Sequence, residues 1–155
     1  MFLYTSKHFG IKELVSPLAY EAKGDECWRF FDPDLLKVSD RLQEKFGPCY
    51  VNTWGLKDPM ILGKVFSYSG FHLPEEYPKR SNFSGHRLGK SLDKKFSKIS
   101  AQNVRIELLG FEPTKTQVLP KIKDFPEITE IEYGVNWLHM TVGSNINGVL
   151  VYPGS

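Results

Sequence analysis

Trp137-Leu138-His139-Met140-Thr141-Val142 alternates strictly between two kinds of side chain. In a β-strand, neighbouring side chains point to opposite faces. Leu138, Met140 and Val142 are therefore expected on one face, and Trp137, His139 and Thr141 on the other. Such a strand lays its apolar face on a core and leaves a chemically distinct face for other work. Ile128–Tyr133 and residues 90–96 read as further strands, and residues 49–54 as a strand-like run. Gly148–Tyr152 adds an expected edge strand.

Two helices complete the pattern. Asp32 suits an N-cap and Pro33 the first helical position. Leu35, Val38, Leu42 and Phe46 then recur at spacings of three and four, and Gly47-Pro48 ends the run. Ser100 is placed to cap a second helix reaching Leu109, with Gly110 as its stop. Residues 1–31 are expected to be irregular, with a short apolar anchor at Ile11, Leu14 and Val15. Residues 55–83 show no period and are rich in Gly, Pro, Ser and Tyr. Loops of that length often carry function. No repeat or linker divides the chain, so one domain over residues 1–155 is expected. The fold class is α+β, with helices packed on one face of a mostly antiparallel sheet.

Composition narrows the function classes. Hydrophobic residues make up 41% of the chain and charged residues 25%, which suits a globular core and excludes wholesale disorder. A net charge of +2 gives no argument for nucleic-acid binding, and no nucleic-acid motif appears. Basic residues do cluster locally, at Lys79, Arg80, Arg87, Lys90, Lys94, Lys95 and Lys98. They read either as a solvated face or as an attraction for an anionic polymer such as a cell wall or nucleic acid. Cys27 and Cys49 form no CxxC pattern, so thiolate metal sites and disulfide frameworks are not indicated. Two free thiols or a single Cys27–Cys49 bridge both remain open. Met1–His8 lacks a basic region followed by an apolar run, and no segment has the length to span a bilayer. The expected location is the cytoplasm of the synthesising cell, with later release or carriage elsewhere.

The chemistry is concentrated in Ser84-Gly85-His86-Arg87-Leu88-Gly89-Lys90-Ser91-Leu92-Asp93. His86 offers an imidazole nitrogen, Gly89 permits a tight turn, and Asp93 offers a hard oxygen on the strand that follows. His139, on the polar face of its own strand, is the third candidate ligand. Two histidines and one carboxylate suit a zinc ion whose fourth position stays open, the catalytic rather than the structural pattern.

Ser84-x-His86-x-x-Gly89-x-x-x-Asp93 followed by Trp137-Leu138-His139 resembles the LAS group of zinc metallopeptidases. That group contains D-alanyl-D-alanine carboxypeptidases, phage L-alanyl-D-glutamate endopeptidases and the non-peptidase Hedgehog signalling domain. A chance match to Ser, His, Gly and Asp at those spacings is expected on the order of once in a thousand chains of this size. The segment Phe9-Gly10-Ile11-Lys12-Glu13-Leu14-Val15 and the helix over residues 35–46 are similar to the family's N-terminal half. The resemblance spans about residues 8–143. It implies a Hedgehog/DD-peptidase-like fold, Zn2+ held by His86, Asp93 and His139, and cleavage of peptidoglycan stem peptides. A phage origin is implied as well, as an endolysin or a virion-associated protein with other virion proteins as partners.

The chain departs from the family at the general base. The peptidases usually place an acid three residues before the last histidine ligand, where this chain has Asn136. An amide does not accept a proton near neutral pH. Many phage relatives carry Asp two residues after that histidine, where Thr141 stands here. Glu132 is the candidate substitute base, with Glu130 behind it, and both also fit a solvent-facing strand. Lys57, Arg80 and Arg87 are candidates for holding a substrate carbonyl or carboxylate, and Trp137 for a groove wall. His72 is a candidate cleft residue, and His8 shows no partner. A metal-holding but catalytically silent structural or wall-binding module is the alternative reading.

Overall fold

The computed structural model describes residues 3–76 and 84–154. Among them are four α-helices: α1 (Ile11–Leu14), α2 (Pro17–Lys23), α3 (Pro33–Phe46) and α4 (Ala101–Leu109). The local signals explain the two longest. The Asp32 carboxylate accepts the Asp34 N–H at 2.9 Å, and Pro33 occupies a position that needs no donor. Gly47, at φ 87°, ends α3. The Ser100 hydroxyl accepts the Asn103 N–H at 3.1 Å, and Gly110 closes α4 in the left-handed region at φ 89°.

Residues 11–30 are helical rather than irregular. α1 and α2 are followed by a 3-10 stretch, Gly24–Phe30. Helices this short do not persist alone. Here Leu14, Val15, Ala19 and Cys27 are fully buried, and Ser16 caps α2 through the Ala19 N–H. Tertiary packing supplies what local periodicity does not.

Six strands form one mixed sheet: β1 (Cys49–Tyr50), β2 (Ser91–Phe96), β3 (Gln117–Leu119), β4 (Ile128–Tyr133), β5 (Leu138–Val142) and β6 (Val149–Pro153). Their spatial order is β1-β2-β5-β4-β6-β3. Every neighbouring pair is antiparallel except β4 with β6. β6 is not the edge strand that the sequence suggests. It lies between β4 and β3, and the edge is β3, too short to announce itself by alternation. The run from Cys49 is also shorter than expected. After Tyr50 the backbone leaves the sheet, with the Asn52 N–H donating to Glu13 and the Thr53 N–H to Phe66.

One face of the sheet carries Leu92, Leu138, Met140, Ile131, Val149 and Val151 into a core shared with Leu35, Leu36, Val38 and Leu42 of α3 and Val104 of α4. Lys94 is the exception on that face. It is fully buried, 4.0 Å from the Phe9 ring centre and 3.6 Å from Cys49 Sγ. Cys27 and Cys49 are both buried free thiols, so no bridge joins them.

A β-bulge decides what the other face displays. Ile128 pairs with Val142, but Glu130 pairs with Thr141, leaving Thr129 as the extra residue. The shift keeps Ile128 and Ile131 both in the core, although they are three residues apart. It also places Glu130, and with it Glu132, on the face that carries Thr141 and His139.

Candidate metal centre

Asp93 and His139 are direct cross-strand partners in the β2–β5 ladder. Asp93 Oδ1 and His139 Nδ1 lie 2.7 Å apart. His86 reaches the same point from the turn that precedes β2, with Nε2 3.4 Å from Asp93 Oδ1. All three side chains are buried, and one donor atom from each falls within 4.8 Å of the others. Zinc–ligand bonds of about 2.0–2.2 Å in a tetrahedron set donor atoms about 3.3–3.6 Å apart. The observed spacing brackets that value.

The turn holds His86 by glycine geometry. A Cβ on Gly85 would fall 1.8 Å from Ser91 Oγ, and one on Gly89 1.7 Å from the Phe30 carbonyl oxygen. Gly89 also has φ 69°, a conformation that L side chains rarely adopt. The Gly89 carbonyl accepts the Asp32 N–H at 3.0 Å, tying the site's turn to the start of α3.

The outer nitrogens are held as well. His86 Nδ1 lies 3.2 Å from the Gly70 carbonyl oxygen. With Nδ1–H donating there, Nε2 turns a lone pair toward the Asp93 carboxylate. Nε2 is buried and makes no hydrogen bond among the described residues. Two electron-rich atoms facing one another in a buried site fit a bound cation. His139 Nε2 lies 3.3 Å from Thr141 Oγ1, whose own partner is Ser91 Oγ at 2.6 Å. Without a cation a proton would play the same part: burial alone would push the Asp93 carboxyl up, but a protonated His86 and the His139 hydrogen bond outweigh it and hold the group well below the usual carboxylate range.

Two clefts flank this centre. One, of about 390 Å³, is lined by His139 and Thr141 together with Glu130, Glu132, Lys90 and Tyr152. The other, of about 360 Å³, is lined by Asp93 and Trp137 together with Lys64, Phe66, Tyr68, Ser69 and Lys95. Burial pushes the Lys95 ammonium down to about 8, with Asp93 opposing the fall and Lys64 adding to it.

The candidate site residues divide clearly. His86, Asp93 and His139 converge. Glu132 is half-buried in the first cleft, and continuing the β4–β5 register sets it opposite His139. Glu130 lines the same cleft and accepts a hydrogen bond from the Ser144 hydroxyl. Trp137 walls the second cleft beside Asp93. Asn136 is exposed and lines a third cavity with Arg105 and Glu112, which shares Lys95 with the second cleft. Lys57 is exposed on its loop, Arg87 is half-buried beside His86, and neither lines either cleft. Lys79 and Arg80 lie outside the described residues. His72 is fully buried, its ring 6.1 Å from that of His86. His8 does have a partner, Glu44, at 2.7 Å.

The basic cluster is not one surface. Lys90 lines one cleft and Lys95 the other, while Lys94 points into the core. Alternation along β2 separates Lys94 from Lys95, while Lys90 stands in the turn before the strand. Lys95 enters the sequence only as one of a basic cluster, and neither Tyr152 nor the Gly70 carbonyl stands out there as a site group. Lys95 had a usable signal, because it stands two residues beyond Asp93 and so shares its face. The Gly70 carbonyl had none, since backbone contacts leave no trace in residue type.

No helix among the described residues is long and apolar enough to cross a membrane. In comparisons with known proteins, no family model, no curated protein and no solved structure matches the chain.

Proposed function

We propose that this chain is a zinc-dependent peptidase-like domain of the LAS type, with a Hedgehog/DD-peptidase-like arrangement, acting on peptidoglycan stem peptides. In this reading it is phage-encoded and works as an endolysin or a virion-associated enzyme. The observation that carries the proposal is the convergence of His86 Nε2, Asp93 Oδ1 and His139 Nδ1 from a turn and two paired strands. It is supported by the family-like spacing of those residues and by the buried His86 Nε2, which makes no hydrogen bond among the described residues.

These three side chains would hold Zn2+, which supplies Lewis-acid polarisation of a substrate carbonyl and activation of water. The remaining work falls to the chain's own groups. Glu132 stands in the cleft on the His139 side, where its carboxylate accepts a proton from the attacking water and returns it to the leaving amine. Thr141 holds the outer nitrogen of His139 and so fixes its ring. Trp137 walls the opposite side.

A second reading is a metal-holding module without turnover. Exposure of Asn136 on the third cavity favours it, because the family's usual base position contributes no group to either cleft. One experiment separates the two. Protein supplied with zinc is assayed for metal by elemental analysis and for release of new amino or carboxyl termini from purified peptidoglycan, beside a His86→Ala variant. One zinc per chain and hydrolysis, both lost in the variant, are expected. Zinc without hydrolysis leaves the silent module, and the absence of zinc overturns both.

A further inference from the structure

Lys57-Asp58-Pro59-Met60-Ile61-Leu62-Gly63-Lys64 places three consecutive apolar side chains between two lysines. Loop tips ordinarily carry small or polar residues. The structure makes this segment the tip of an Ω-loop. The Thr53 N–H donates to the Phe66 carbonyl at 2.9 Å, and the Phe66 N–H donates to Thr53 Oγ1 at 2.9 Å. Those two bonds pin the ends of the loop together.

Two turns order the tip itself. The Ile61 N–H donates to the Asp58 carbonyl at 3.2 Å, and the Gly63 N–H to the Met60 carbonyl at 2.8 Å. Met60 is 55% exposed and Ile61 46%, with Val65 at 48% beside Lys64. All three stand outside the buried core. Holding adjacent Met and Ile side chains in water forgoes the gain of burying them. An ordered apolar tip with a polar rim is the signature of a docking surface. The rim here is basic. Lys57 and Lys64 are exposed on either side of the tip, and Lys12, also exposed, lies against Gly55 at the base of the loop. Asp58, the one acid between Thr53 and Phe66, turns its carboxylate onto the Met60 N–H at 3.1 Å.

We propose that this loop docks the protein onto an anionic lipid bilayer. Met60 and Ile61 enter the boundary between headgroups and acyl chains, and Lys57, Lys64 and Lys12 meet the lipid phosphates. A soluble polyanion has no place for the apolar tip, and an apolar protein groove leaves the lysines unanswered. A bilayer surface matches both. Lys64, Val65 and Phe66 also line the cleft beside Asp93, so docking brings that cleft to the lipid surface. The proposal stands on the loop alone and does not depend on the metal reading.

Vesicle flotation tests it, with phosphatidylcholine vesicles beside vesicles of equal parts phosphatidylcholine and phosphatidylglycerol. A lysine near an anionic surface strengthens binding by about fivefold, so the mixed vesicles are expected to bind about twenty- to a hundredfold more tightly at low salt. The preference should fade as salt is raised. The double variant Met60→Ser/Ile61→Ser is expected to bind the mixed vesicles at least about tenfold more weakly, with circular dichroism unchanged because both side chains are exposed. Lys57→Gln/Lys64→Gln should remove most of the preference for phosphatidylglycerol. No flotation with either vesicle overturns the proposal. Flotation that Met60→Ser/Ile61→Ser leaves intact, with equal binding to soluble polyphosphate, overturns it in favour of a polyanion. Self-association in sedimentation without flotation, abolished by Met60→Ser/Ile61→Ser, overturns it in favour of a second copy of the chain.

Discussion

Asp93 and His139 face each other across the β2–β5 ladder, with Oδ1 2.7 Å from Nδ1. The contact is set by backbone register, so it needs no loop to bring it about. Asp93→Asn keeps the shape and removes the charge and one acceptor. Zinc affinity, measured by competition with a chromogenic chelator, is expected to fall by more than about a hundredfold, beyond what losing an outer contact costs. Unchanged affinity would remove Asp93 from the ligand set.

The outer contact has its own test. Thr141 Oγ1 lies 3.3 Å from His139 Nε2 and 2.6 Å from Ser91 Oγ. Thr141→Val keeps the branched shape and removes the hydroxyl. Zinc affinity is expected to drop by about 10–100-fold with the fold intact by circular dichroism. An unaltered affinity would mean that packing alone orients the His139 ring.

Glu132 and Asn136 make opposite predictions. Glu132 lines the cleft beside His139, whereas Asn136 is exposed on another cavity. Glu132→Gln is expected to lower the rate of peptide hydrolysis by about 10²–10⁴-fold while zinc content stays the same. Asn136→Ala is expected to leave the rate within about threefold, the scatter common for surface changes of up to 0.5 kcal/mol. The reverse pattern would remove Glu132 as the base and give Asn136 a positioning role instead, since an amide cannot accept the proton.

Gly89 is the most sensitive backbone position in the turn. It has φ 69°, and an added Cβ would meet the Phe30 carbonyl oxygen at 1.7 Å. Gly89→Ala is expected to cost well over about 1 kcal/mol in urea unfolding, since strain and overlap act together. It should also weaken zinc binding, because Gly89 sits between His86 and Asp93.

Acid stability should report on α3. Arg41 donates to both Glu127 oxygens, at 2.6 and 3.0 Å. This hydrogen bond, against a smaller opposing effect of burial, holds the Glu127 carboxyl below its usual value. A depressed folded-state pKa contributes stability above the unfolded value and loses it as pH falls through the folded one. The stability gap between wild type and Arg41→Met is therefore expected to be flat above about pH 5.5 and to shrink below about pH 4. A gap that stays constant in acid would show that Arg41 acts through packing on Phe125, whose ring centre lies 5.2 Å away.

Much of the frame was legible locally. Asp32-Pro33 and Ser100 mark helix starts, Gly47 and Gly110 mark their ends, and Ile128–Tyr133 is a strand over its stated span. Capping and alternation are short-range effects, so neighbouring residues carry them. The triad was legible for a related reason: the donor types stand at turn and strand positions whose directions follow from the period of two.

What the sequence determined by itself was the α+β class, α3 and α4, the strands β2, β4 and β5, and the identity of three buried donors. Only the tertiary structure decided the rest. It folded residues 11–30 into helices by burying Leu14, Val15, Ala19 and Cys27. It moved β6 inside the sheet beside β4, and through the bulge at Thr129 it turned Glu130 and Glu132 toward His139. It sent Lys94 and Lys95 to opposite sides and set the Gly70 carbonyl against His86. These outcomes depend on partners distant in the chain, on strand register and on backbone atoms that every residue shares, and none of those is written in local residue type.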